Sequence, residues 1–211
     1  PRRQRQMCIR DRDICSLEPS VQFDLLSDVD GTTYSWIAAE NENLSGYEES
    51  GTTAFIPSQT ITNSTNSDQD LVYTIIPIAN GCAGTPFEYT LTVQPMPVVA
   101  DKDETICDGE TFTIQPTDNF PTEIVPIGTT YSWPAPVSDP TDAITGGISA
   151  SAQSSISNQL SNTSEYPATL TYRVTPNYNG CDGDDFDIVI TVNPTVSVDA
   201  IPDQVLCNGD N

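Results

Sequence analysis

The sequence predicts an all-β protein built from two tandem β-sandwich modules, on three observations. Gly31-Thr32-Thr33-Tyr34-Ser35-Trp36 returns as Gly128-Thr129-Thr130-Tyr131-Ser132-Trp133, 97 residues later, and these are the only two tryptophans. Asn80-Gly81-Cys82-Ala83-Gly84 returns as Asn179-Gly180-Cys181-Asp182-Gly183, with the cysteines 99 residues apart. In both 87–93 and 186–192, apolar residues occupy alternate positions, the period of a strand with one face on a core. A shared period near one hundred residues is long enough for each copy to be a domain.

The chain of 211 residues divides on this basis into a head (1–12), a first module (13–95), a second (96–194) and the truncated start of a third (195–211). Five of the seven basic residues lie in the head, leaving Lys102 and Arg173 against 29 acids in the body, about −27 by count. Such a field repels nucleic acid and anionic lipid, so neither is expected as a partner. The head matches neither repeat. A basic arm docking on acidic surface is one reading, but Met7-Cys8-Ile9-Arg10-Asp11-Arg12 resembles a translated sequencing-adapter end, and the head is set aside as non-native. It lacks the apolar core of a signal peptide, so the native start is expected to lie outside this sequence. No apolar run approaches the roughly 20 residues of a membrane span.

Within each module the order of elements is as follows. Val21, Phe23 and Leu25 match Phe112 and Ile114 as an early strand. The Tyr-Ser-Trp strand places Tyr34 with Trp36, and Tyr131 with Trp133, on one face. Residues 41–53 and 134–157, rich in Gly, Ser, Pro and Asn, are expected to hold a short edge strand and long loops. Leu71, Tyr73 and Ile75 then correspond to Leu170, Tyr172 and Val174, and an Asn-Gly turn that accepts positive φ leads into the alternating last strand. Pro95, Pro97 and Pro194 end the last strands and stiffen short connections, which implies a semi-rigid row of domains.

Outside the head, Cys15, Cys107 and Cys207 occupy equivalent positions, and so do Cys82 and Cys181. Two cysteines per module imply disulfides in an oxidising compartment, and the expected pairs are Cys15–Cys82 and Cys107–Cys181, with the partner of Cys207 beyond residue 211. Their turns fall at opposite ends of such a sandwich, so bridges between neighbouring modules are the alternative, and parity does not separate the two. Zinc is a poor competitor without histidine or a Cys-x-x-Cys pair.

The run Ile-Cys-Asp-Gly-Glu-Thr-Phe-Thr-Ile (106–114), the Gly-Thr-Thr-Tyr-Ser-Trp strand, the Asn-Gly-Cys-Asp-Gly turn (179–183) and Ile-Thr-Val-Asn-Pro (190–194) together resemble the PKD-like, immunoglobulin-like repeats of very large bacterial surface proteins, which often carry a gliding-motility-associated C-terminal export domain. The resemblance covers nearly everything after residue 12. The first copy departs at Cys15-Ser16-Leu17-Glu18, where the Gly is lost. It implies tandem immunoglobulin-like β-sandwiches in a secreted or cell-surface bacterial protein, with adhesive or spacer roles and no catalytic residues.

The chemistry agrees. Without histidine there is no Ser-His-Asp or Cys-His arrangement, and no enzyme activity is expected. Weak calcium binding is the candidate ion chemistry: Asp182, Asp184 and Asp185 share a turn, and Asp101 and Asp103 lie at the module joint, although an EF-hand spacing is absent and a solvated acidic loop is the plainer reading. Tyr47 and Tyr178 fall in expected loops where an exposed ring suits a sugar. Asn43, Asn63 and Asn162 open Asn-x-Ser/Thr triplets, read as chance in a bacterial chain rich in these residues. The expected function is therefore a semi-rigid spacer presenting binding elements to an unknown surface ligand, protein or glycan; the alternative is a set of carbohydrate-binding modules attached to a secreted enzyme.

Overall fold

The computed structural model describes residues 12–196. The expected non-native head, apart from Arg12, and the third-module start beyond 196, with Cys207, lie outside the described residues. Among the described residues every regular element is a strand.

Each module is organised by one principal sheet. In the first, the opening strand (Arg12–Cys15), closing strand (Phe87–Gln94), long strand (Gln69–Ala79), tryptophan strand (Thr33–Ala38) and a short edge (Ser50–Gly51) lie side by side in that order. In the second, the order repeats with Lys102–Cys107, Phe186–Asn193, Ala168–Tyr178, Thr130–Trp133 and Ala150–Gln153. Arg12 belongs to this sheet, opposite Leu91, because ladder pairing uses the backbone and is indifferent to the side chain. Short pairs, Phe23–Asp24 with Phe55–Ile56 and Thr111–Ile114 with Ile156–Gln159, supply the facing layer.

The alternation read from the sequence becomes the core. Leu71, Tyr73, Ile75, Tyr89, Leu91 and Val93 are buried in the first module, and Leu170, Tyr172, Val174, Ile188, Ile190 and Val192 in the second. Trp36 and Trp133 are buried at matching places, each edge-on to the tyrosine of the long strand: Tyr73 at 5.8 Å and 75°, Tyr172 at 6.3 Å and 76°. The indoles differ in one respect. Trp133 Nε1 donates to the Ile148 carbonyl at 2.8 Å, whereas Trp36 Nε1 is buried without an acceptor. Val21 departs from expectation and is exposed, because the facing strand starts only at Phe23.

Both tyrosines carry a satisfied hydroxyl. Gln59 Nε2 donates to Tyr73 at 3.0 Å and Tyr172 donates to Asn158 Oδ1 at 2.9 Å. Burial pushes the Tyr73 phenol up to about 12, and pushes Tyr172 further still.

A second repeated polar unit explains two of the Asn-x-Ser/Thr triplets. Asn63 Nδ2 donates to the Ser67 and Val93 carbonyls, both at 2.8 Å, while its Oδ1 accepts from the Thr65 amide and hydroxyl. Asn162 does the same with Tyr166 and Val192, and with Ser164. Both side chains are buried, so these triplets recur because the fold uses them to tie a loop to the closing strand, and the expectation of chance is corrected.

Candidate functional site at the module joint

The direction of the strands decides which cysteines can meet. The opening strand runs parallel to the closing strand, so Cys15 stands opposite Gln94 at the distal end of the first module. The Asn80-Gly81 turn precedes the closing strand, so Cys82 lies at the proximal end, paired with Ala79. An eight-residue strand, roughly 25 Å, separates the two ends. The second module repeats this geometry: Cys107 opposite Asn193, and Cys181 opposite Tyr178 in a turn with positive φ at Asn179 and Gly180. A bond within a module would have to cross its whole length.

The structure accordingly joins Cys15 to Cys181, with Cα atoms 5.5 Å apart, while Cys82 and Cys107 are free and exposed. The expected pairs Cys15–Cys82 and Cys107–Cys181 are therefore corrected. The distal end of one module faces the proximal end of the next, and the cysteines bridge that joint.

The bond is set in a packed interface. Cys181 is 1% exposed, and Gln94, Pro95 and Pro97 of the connecting segment are buried. Gly183 approaches the chain so closely that a Cβ there would overlap the Pro97 carbonyl oxygen. Beyond Pro97 the connection is zipped onto the second module, since Val98 and Ile124 exchange both backbone hydrogen bonds at 2.9 Å. Glu123 accepts from the Ala100 amide at 3.1 Å and from Lys102 Nζ at 2.6 Å, and the Lys102 bond is the main cause holding its carboxyl below the usual range. Asn66 of the first module donates to Asp118 Oδ2 of the second at 2.7 Å. A shallow cleft of about 370 Å³ lies here, lined by Asn66, Ser67, Asp118, Val125, Ile127 and Tyr178. Tyr178 is the last residue of the long strand and not a loop residue; burial first, then the Asp68 carboxylate, raise its pKa.

The acids picked for calcium are not gathered. Asp101 Oδ1 accepts from the Asp187 amide at 2.8 Å, and Asp182 Oδ1 from Asn177 Nδ2 at 2.6 Å. Asp185 pairs with Arg173 at 3.3 Å and accepts from Thr175 at 2.5 Å, while Asp103 and Asp184 are exposed. Among the described residues no group of three or more His, Cys, Asp or Glu is arranged to hold a metal ion. Acids adjacent in a turn or strand point to different partners, which sequence proximity does not reveal.

Sequence reasoning missed Asp108. Its Oδ1 accepts from the Ser161 hydroxyl at 2.8 Å and the Asn162 amide at 2.9 Å, and its Oδ2 from Thr195 at 2.5 Å. The bond from Thr195, then the others, hold its carboxyl below the ordinary range. Its counterpart Ser16 accepts from the Asn63 amide at 2.9 Å, and this equivalence was the available signal.

Two modules with one strand order, one buried tryptophan–tyrosine pair each and a covalent joint define a tandem immunoglobulin-like β-sandwich protein. The family model of the PKD-like domain matches residues 12–97 and again 104–196, and the chain belongs to that family. The PKD-like domain is a non-catalytic fold typical of extracellular and surface proteins. No curated protein sequence matches the chain.

Among solved structures it is similar to the insect immune protein hemolin, at 12% identity over 90% of this chain and 51% of that one, TM-score 0.40. It is also similar to extracellular cadherin domains 1–5 of protocadherin gamma B2, at 15% identity over 92% and 40%, TM-score 0.37. A third likeness is to SGBP-B of the Bacteroides ovatus mixed-linkage glucan utilization locus, solved with a heptasaccharide, at 14% identity over 86% and 42%, TM-score 0.30. The chain spans about half or less of each, and at these scores the likeness says nothing of ligand or partner.

Proposed function

We propose that this chain is a structural and adhesive repeat segment of a large secreted or cell-surface bacterial protein, a semi-rigid spacer that presents binding elements carried elsewhere. The observation that carries this reading is the joint: consecutive modules are clamped by the Cys15–Cys181 bond, buried prolines and a zipped linker, an arrangement suited to holding one domain at a fixed angle to the next. A disulfide of this kind belongs to an oxidising, extracytoplasmic compartment. The surface supports the same reading. The joint cleft offers one aromatic ring, Tyr178, and a smaller one beside the first module's edge strand offers only Tyr47, whereas a sugar platform needs convergent rings.

The ligand of the whole protein, a surface protein or glycan, is then met by other domains. A glycan-array screen of the chain tests this, with no saturable binding expected. Saturable binding to one glycan class overturns the pure spacer and favours carbohydrate-binding modules attached to a secreted enzyme.

A further inference from the structure

We propose that Cys82 and Cys107 are the two open halves of a staple that repeats along the protein. Cys107 bonds the hairpin cysteine of the module that follows, and Cys82 bonds the opening-strand cysteine of the module that precedes. The inference rests on the tandem-array reading above and names the partner at each end: a further PKD-like module with a cysteine at the matching position.

The argument is one of translation along the repeat. Cys15 ends an opening strand opposite Gln94, and Cys107 ends an opening strand opposite Asn193, the equivalent residue 99 positions on. Cys181 follows an Asn-Gly turn opposite Tyr178, and Cys82 follows an Asn-Gly turn opposite Ala79, again 99 positions apart. Whatever geometry brings Cys15 to Cys181 is therefore rebuilt at both ends of the pair. The surroundings differ in the way an uncovered half requires. Cys181 is 1% exposed inside the joint, whereas Cys82 is exposed. A Cβ on Gly183 would strike the Pro97 carbonyl of the joint, whereas one on Gly84 would meet only Pro77 of its own module, at 3.0 Å. The run Leu206-Cys207-Asn208-Gly209-Asp210 repeats the opening motif of Ile106-Cys107-Asp108-Gly109-Glu110, so a third module is begun in this sequence.

Each bond converts two thiols to one disulfide and gives up two protons and two electrons, which a disulfide-class oxidant accepts. The Cys107 thiolate attacks the oxidant's disulfide and expels one thiolate. The partner cysteine then attacks the Cys107 sulfur in the mixed disulfide and releases the oxidant as a dithiol. The staple orders itself along the chain, since each module uses its distal cysteine forward and its proximal cysteine backward.

The test is an extended chain in which residues 108–196 are repeated directly after Cys207, with Arg173→Lys in the repeat so that its cysteine peptide has its own mass. The chain is refolded with oxidised and reduced glutathione, cut after acidic residues and mapped without reduction. The expected result is Cys107 joined to the cysteine of the repeat, Cys15 still joined to the original Cys181, and Cys82 open to iodoacetamide. Cys107 found bonded to the original Cys181 or to Cys207, or left alkylatable while the Cys15 bond forms, overturns the proposal. The 211-residue chain gives a second measurement that does not depend on the repeat folding. Iodoacetamide should label Cys82 and Cys107 fully under native conditions and leave Cys15 and Cys181 unlabelled; a Cys82–Cys107 or Cys82–Cys8 bond overturns it. Neither measurement involves glycan binding, so failure of the staple and failure of the spacer are separable.

Discussion

Leu17 shows how far a repeat tolerates a poor residue. It adopts φ of 67°, and its amide donates to the Ile61 carbonyl at 2.8 Å; Gly109 in the second copy adopts φ of 80° and bonds Leu160 at 2.9 Å. A left-handed conformation costs an L-residue about 1–2 kcal/mol, and glycine loses about 0.5–1 kcal/mol of that advantage through unfolded-state entropy. Leu17 is 54% exposed, so little burial is forfeited. Leu17→Gly should stabilise the first module by about 0.5–1 kcal/mol in urea unfolding. Asn162→Ala should do the opposite, because it removes four hydrogen bonds made by one buried side chain, a loss of about 2–4 kcal/mol read in the same way. Asp108 and Glu123 have carboxyls held below their ordinary values, so their contribution is complete above the unfolded values of about 4 and is lost as the pH falls through the lower native ones. Acid melting curves should therefore show the second module losing stability below about pH 4, and Asp108→Asn should flatten that dependence.

At the level of elements, the hairpins of the two modules are the same object in two settings. Gly183 lies against the Pro97 carbonyl, and Gly84 faces only Pro77. Gly183→Ala should therefore destabilise by about 1–3 kcal/mol or loosen the joint, and Gly84→Ala by less than about 1 kcal/mol, measured by thermal unfolding side by side. Elements were the scale at which the sequence was most legible. The tryptophan strands, the Asn-Gly turns and the closing strands could be read because two copies agree at the positions where packing and positive φ limit the choice. Strand direction was harder to read. The parallel pairing of Arg12–Cys15 on Phe87–Gln94 puts Cys15 at the far end of its module, and no count of cysteines contains that information. The acids at 101, 103, 182, 184 and 185 are held apart for a related reason, since their nearness in sequence is undone by the faces they occupy and by partners such as Arg173. The buried roles of Asn63 and Asn162 were present as a 99-residue repeat of Asn-x-Ser/Thr and were obscured by how common those residues are here.

For the whole molecule, the question is what the covalent joint adds to two modules that each possess a core. The bond spans 166 residues of sequence, and on the chain-entropy model closing such a loop is worth about 5 kcal/mol when both modules are unfolded. Its effect on the folded state is orientational, because it ties the far end of one sheet to the near end of the next while the Val98–Ile124 pairing holds the linker. Cys181→Ser should thus leave both tryptophan–tyrosine cores intact, since Trp36 and Trp133 pack wholly within their own modules. It should separate one calorimetric transition into two and broaden the distance distribution in small-angle scattering. Unchanged scattering in that variant would mean that the buried prolines and the Gly183 contact already fix the angle, and that the sulfur bond protects the joint against unfolding without setting its geometry.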